Sequence, residues 1–197
     1  LARNLGDLKF NPYEKYGGVG KKPYYKDGYL VVMQHPVTNE FSESRNQIKK
    51  TLEAIQKLNI PTFWFWPNID AGSDGTSGAI RSFREKNKMD NVHFFKNMKP
   101  TDFLILLKNS ICLVGNSSVA IRECSYLGVP VVNIGSRQYR RERAENVIDV
   151  GYDDKEIFDS VLKSKSRKPK SSEIYGDGNS GETIAELLST LKLISHK

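Results

Sequence analysis

"CLVGNSSVAIRECSYLGVPVVNIGSRQ" spans Cys112–Gln138. An apolar run stops at Gly115-Asn116-Ser117-Ser118. A stretch with helical spacing follows and ends at Gly128. A second apolar run, Val129 to Ile134, then ends in Gly135-Ser136-Arg137-Gln138. Neither run alternates apolar with polar, as a half-exposed strand would. Continuous short runs suit strands covered on both faces, and a helix between two such strands is a parallel crossover.

The same unit recurs on both sides of this stretch. Apolar runs at 29–34, 62–66, 92–95, 111–115, 129–135 and 146–150 are expected strands. Amphipathic stretches at 44–59, 76–87, 101–109, 118–128, 154–164 and 181–194 are expected helices. Strands alternating with helices predict an α/β chain with a Rossmann-like parallel sheet flanked by helices. Phe63-Trp64-Phe65-Trp66 offers ring faces that bases could stack on. Four large apolar residues in a row fit a strand buried between helix layers better. Residues 1–28, with Asn11-Pro12, Gly17-Gly18, Gly20, Pro23 and Asp27-Gly28, read as linker and turns. The chain starts Leu1-Ala2-Arg3 with no methionine and reads as part of something longer.

Composition narrows the classes. Charged residues make up 27% of 197, and no apolar stretch approaches a membrane span, so a soluble chain is expected; cysteine usage without a disulfide pattern points to the cytoplasm. Two cysteines, Cys112 and Cys124, fall in an apolar run and on the apolar side of a helix, so they are expected as buried free thiols. Three scattered histidines give no metal-ligand spacing, and no cofactor is implied. The net charge of +7 suits an anionic partner. "KSKSRKPK" at 163–170 carries no aromatic residue and reads as a solvated loop, which argues against a nucleic-acid surface.

In an open parallel sheet the ligand lies beyond the carboxyl ends of the strands. Four of the strand ends carry polar loops there: Gln34–Asn39, Pro67–Ser73, Gly115–Ser118 and Gly135–Gln138. Ser117 and Ser118 at the mouth of a helix can donate to an anion alongside the unpaired first-turn N–H groups, or Ser118 can simply cap. The preceding Gly-Asn and the doubled serine favour the anion. Glu123 lies about 7.5 Å further along the axis, where it can accept both hydroxyls of a ribose or pair with Arg122 or Tyr126. Arg137 can make a two-pronged phosphate contact or face solvent. His35 can donate to a phosphate or shuttle a proton, or be structural. Asn68 can cap its own turn or reach a ligand, and Asp70 belongs to the turn. No Walker loop and no Gly-x-Gly-x-x-Gly fingerprint is present. Serines, glutamate and arginine together suggest a nucleoside diphosphate gripped by one side of a cleft.

"QHPVTNE" (34–40), "PNIDAGS" (67–73), "GNSSVAIRE" (115–123), "GVPVVNIGSRQ" (128–138), "RAENV" (143–147) and "YGDGN" (175–179) occur in this order. As a set they resemble the hydrolysing UDP-N-acetylglucosamine 2-epimerases of sialic acid biosynthesis, over nearly all of residues 29–194. The resemblance implies the C-terminal half of a glycosyltransferase-B type fold. Residues 1–28 would be an interdomain segment and 29–197 the UDP-binding domain, with the N-terminal catalytic domain missing. It implies His35 near the diphosphate and the chemistry, with Asn68, Ser117, Ser118, Glu123 and Arg137 around UDP. The implied reaction converts UDP-N-acetylglucosamine to UDP and N-acetylmannosamine by elimination and hydration. Its acid/base carboxylates would lie in the missing domain, so this chain alone would bind UDP weakly and not turn over. The full-length enzyme would be a homo-oligomer. Pro36 stands where non-hydrolysing relatives carry arginine, which favours the hydrolysing branch. Arg81 and Arg84 keep the spacing of the arginines that bind CMP-sialic acid in the animal enzyme, but the loop before them is longer, and a solvated helix face is the preferred reading. A UDP-sugar glycosyltransferase half and an epimerase for a UDP-2,4-diacetamido sugar remain as alternatives.

Overall fold

The structure, a computed structural model, describes residues 5–68 and 71–191. Seven strands form one sheet: β1 (Val19–Gly20), β2 (Leu30–Met33), β3 (Thr62–Phe65), β4 (Val92–Phe95), β5 (Cys112–Gly115), β6 (Val131–Ile134) and β7 (Val147–Val150). The spatial order is β1-β4-β3-β2-β5-β6-β7, and every pair except β1–β4 is parallel. From β4 to β7 this is the doubly wound order, and the winding reverses between β2 and β5. The helices are α1 (Pro12–Tyr16), α2 (Ser44–Leu58), α3 (Ser73–Lys86), α4 (Pro100–Lys108), α5 (Glu123–Leu127), α6 (Asp154–Ser164) and α7 (Ser180–Thr190).

From β2 to β6 both sheet faces are buried, and residues along each strand alternate between them. Leu30, Val32, Trp64, Cys112 and Val114 face α2, α3 and α6. Val31, Phe63, Phe65, Phe95 and Leu113 face α1, α4 and α5. The aromatic run of β3 is therefore core. Cys112 and Cys124 are buried and free; burial pushes the Cys112 thiol up to about 12 and raises Cys124 as well. No helix among the described residues is long and apolar enough to cross a membrane.

Three local expectations change. Residues 5–28 hold more than turns. Asn11 accepts from the Tyr13 N–H at 3.0 Å and Pro12 opens α1, so Asn11-Pro12 starts a helix instead of marking a turn. Tyr13 is buried against Phe63 and His93. Second, 118–128 is not one helix. Ser118–Ala120 form a 3-10 turn, Arg122 sits at the margin of the α region as the cap residue (φ −98°, ψ −77°), and α5 starts only at Glu123. Val119 packs against the core while its neighbours Ala120 and Ile121 are fully buried. Three consecutive residues facing inward would span about 200° of an α-helix, so the chain tightens there instead. Third, Arg167 in the basic run is tied to the Glu145 and Asn146 carbonyls and the Lys170 N–H to the Glu145 carboxylate, so that run is docked at two points. The final expected helix is seen as α7; residues 192–194 lie outside the described residues, as does Asp70.

Candidate functional site

The site forms where the winding reverses. The ends of β2 and β5 approach so closely that a Cβ on Gly115 would lie 2.1 Å from the Met33 carbonyl oxygen, at φ +138°. Only glycine fits there. The next residue, Asn116, is 1% exposed. Its Oδ1 accepts from the His35 N–H at 2.7 Å and its Nδ2 donates to the His35 carbonyl at 2.8 Å. Its own carbonyl accepts from Gln138 Nε2 at 2.7 Å and from Arg137 Nη1 at 3.2 Å. One buried asparagine thus fastens three loops, those after β2, β5 and β6. Sequence reading placed Asn116 and Gln138 inside motifs without giving them a role. Their signal was weak, because Asn beside Gly ordinarily marks a turn.

His35 is buried, and its Nδ1 accepts from the Asn68 N–H at 3.1 Å. In the neutral ring this places the proton on Nε2. Asn68 therefore meets His35 through its backbone, while its exposed side chain borders the same cleft.

That cleft, about 370 Å³, is lined by His35, Asn68, Met98, Phe103, Val119 and Glu123 among others. Apolar and aromatic walls with a few polar groups are what a planar base and a sugar require. Glu123 Oε2 is shielded from solvent and makes no hydrogen bond among the described residues. A buried carboxylate oxygen without a donor costs on the order of 1–3 kcal/mol or more. A ligand hydroxyl would remove that cost. The surface-glutamate alternative, pairing with Arg122 or Tyr126, is not what the structure shows.

Ser117 is 5% exposed and takes the cap position of the 3-10 turn without a side-chain capping bond, and Ser118 opens that turn. The expectation that both serines sit at the mouth of an α-helix is corrected, since α5 starts five residues further on and has five residues. A helix dipole contributes little here. What remains is the pair of hydroxyls and the N–H groups of a tight turn.

A second pocket, about 440 Å³, opens between the loops after β2 and β6 and is lined by Val37–Glu40, Ser136, Arg137 and Tyr139. Glu40 accepts from Ser136 Oγ, from Gln47 Nε2 at 2.6 Å and from Tyr152 Oη at 3.3 Å. Burial, with the Glu40 charge adding to it, raises the Tyr152 phenol to about 12. The Tyr152 ring fills the space where a Gly135 Cβ would be, 2.2 Å away. Sequence reading did not single out Glu40. Neither Arg81 nor Arg84 lines either cavity; Arg81 lies over the ring of Trp66, which borders the first cleft, at 5.8 Å, and Arg84 over the Phe94 ring at 4.6 Å.

A doubly wound sheet with polar loops converging at its switch point is the Rossmann-like architecture, in which ligands bind at that point. Residues 10–189 match the family described as UDP-N-acetylglucosamine 2-epimerase, and the chain belongs to that family. It is 32% identical over 170 residues to the UDP-N,N'-diacetylbacillosamine 2-epimerase (hydrolyzing) of Legionella pneumophila, covering 84% of this chain and 43% of that protein. It is 28% identical over 181 residues to the UDP-N-acetylglucosamine 2-epimerase of Neisseria meningitidis, covering 90% and 44%. The chain thus spans less than half the length of these curated relatives. Among solved structures, the Neisseria meningitidis enzyme bound to UDP-GlcNAc superposes with a TM-score of 0.68 at 20% identity, over 83% of this chain and 45% of that one. MnaA of S. aureus with UDP gives 0.66 at 18% identity, over 96% and 50%. These likenesses show a Rossmann-like fold matching about half of a glycosyltransferase-B type structure.

Proposed function

We propose that this chain is the C-terminal, nucleotide-binding part of a hydrolysing UDP-N-acetylglucosamine 2-epimerase of the cytoplasm. The observation that carries the reading is the donorless Glu123 Oε2 in a cleft shared with His35 at the switch point. In this reading the uracil enters between the apolar walls and the ribose hydroxyls donate to Glu123. Ser117, Ser118 and Arg137 hold the diphosphate. His35, fixed by Asn116 and Asn68, presents its Nε2 proton toward the charge that develops on the leaving oxygen.

The reaction breaks the sugar C2–H and C1–O bonds. The C2 proton goes to a base, the electron pair forms a C1–C2 double bond, and UDP departs with the C1–O electrons. Water then adds, with hydroxyl to C1 and a proton to C2 on the opposite face, giving N-acetylmannosamine. The base and the residue that returns the proton belong to the part of the protein beyond these residues. The chain alone therefore binds UDP and leaves UDP-N-acetylglucosamine unconsumed. A UDP-2,4-diacetamido sugar is the second reading of the substrate, favoured by the names of the Legionella pneumophila and Campylobacter jejuni relatives.

Calorimetric titration with UDP tests the grip. Glu123→Ala should weaken binding about tenfold or more and Ser118→Ala several-fold, the scale of charged and neutral hydrogen bonds. Unchanged affinity in both variants would sink the assignment.

A further inference from the structure

We propose that Glu40 is a positioning residue for the nucleotide grip, which sets Arg137 in place by clasping the loop that carries it. This rests on the reading of Arg137 as a diphosphate ligand and adds what holds that arginine. Glu40 is half-buried in the loop after β2, and its carboxylate is shared among three donors. Oε1 accepts from Ser136 Oγ, in the loop after β6. Oε2 accepts from Gln47 Nε2 of α2 at 2.6 Å and from Tyr152 Oη, just beyond β7, at 3.3 Å. A carboxylate has about four acceptor sites, and three are taken up inside the protein, so its use is to fasten.

Arg137 sits between two fastened neighbours. Ser136 before it is tied to Glu40, and Gln138 after it donates to the Asn116 carbonyl at 2.7 Å. The ties lead to different strand ends, since Glu40 follows β2 and Asn116 follows β5. The root of the loop is held as well. The Gly135 N–H donates to the Val150 carbonyl at 2.9 Å, and the Tyr152 ring fills the space where a Gly135 Cβ would stand. A long arginine side chain loses rotamer freedom when it grips a ligand. Backbone held on both sides of it, with Arg137 Nη1 already on the Asn116 carbonyl at 3.2 Å, lowers the ordering left for the ligand to impose. Gln138 makes the inner tie and Glu40 the outer one. The clasp depends on shape more than on charge. In Glu40→Gln the amide oxygen can accept from Gln47 and Tyr152, while the amide N–H donates to the Ser136 hydroxyl, which accepts as well as donates. Nothing replaces these bonds in Glu40→Ala.

The test is NMR titration of the 197-residue chain with UDP, run as a double-substitution cycle with Arg137→Ala. Glu40→Ala should raise the Kd about fivefold or more, and Glu40→Gln less than about twofold. Ser136→Ala, at an exposed position, should raise it about twofold or more. With Arg137→Ala already present, Glu40→Ala should add less than about twofold, because no arginine is left to place. Should circular dichroism show Glu40→Ala unfolded, Ser136→Ala takes its place in the cycle. A general loosening of the fold would weaken UDP by the same factor in both backgrounds, and that result overturns the proposal. So does wild-type affinity in both alanine variants. Tighter binding in Glu40→Gln would make Glu40 a charge acting on the diphosphate and overturns it too. A wild-type chain that takes up no UDP overturns the nucleotide grip, and the role of Glu40 with it.

Discussion

Asn116 carries more of the site than any residue whose chemistry is visible in the sequence. Its amide matches a backbone donor and a backbone acceptor of His35 at once, and its carbonyl takes Arg137 and Gln138. Asn116→Ala leaves the His35 N–H and C=O buried without partners. The expected loss is about 2–3 kcal/mol, read as a lower urea midpoint at unchanged slope, together with weaker UDP binding. Asn116→Asp keeps the acceptor for the His35 N–H but sets a second acceptor against the His35 carbonyl, so it should not rescue. An alanine variant with wild-type midpoint and affinity would show that the three loops hold their places without it. Glu123 and His35 stood out in the sequence because a carboxylate and an imidazole in those positions invite chemistry, and the structure brings both to one cleft. Asn116, Gln138 and Glu40 did not, because their roles are defined by burial and by partners as far as 112 residues away.

At the scale of elements, the strands were legible because both faces are covered. A run such as Phe63-Trp64-Phe65 then has a single reading, and β3, β4 and β5 fall within a residue of their expected limits. The break between Ala120 and Glu123 was not legible, since helical spacing describes one face and three inward residues in succession abolish that face. A long-range ion cluster was equally hidden. Asp154 at the start of α6 binds Lys50 at 3.1 Å and Lys57 at 2.6 Å, both on α2. The two ammonium groups hold the Asp154 carboxyl down at about 2, below its ordinary 3.8. A lowered folded-state value means that the contribution is complete above the ordinary value and fades as pH falls through about 2. The lysines are 44% and 60% exposed, so the effect is small and salt-screened. The stability gap between wild type and Asp154→Asn should be constant near neutrality, shrink below pH ~4 and narrow in 1 M salt. A gap independent of pH and salt would assign the effect to packing.

For the whole molecule, α7 poses a question that its own sequence raises and cannot answer. Ile184, Leu187, Leu188 and Leu191 recur at helical spacing and mark an apolar stripe. Such a stripe ordinarily lies against a core. Here every residue from Ser180 to Leu191 is exposed, with those four between 55% and 63%. Periodicity establishes that a face exists and says nothing of what covers it, and the chain spans less than half of its curated relatives. Four exposed aliphatic side chains on one helix face form a patch that water disfavours, so these residues alone should associate as concentration rises. Leu187→Ser combined with Leu188→Ser should reduce that association in sedimentation velocity and reduce binding of an apolar dye. The urea midpoint should stay where it is, because neither leucine contributes buried area to the described fold. A lower midpoint in the double variant, with association unchanged, would mean that α7 packs onto its own domain in solution and that the stripe is already satisfied.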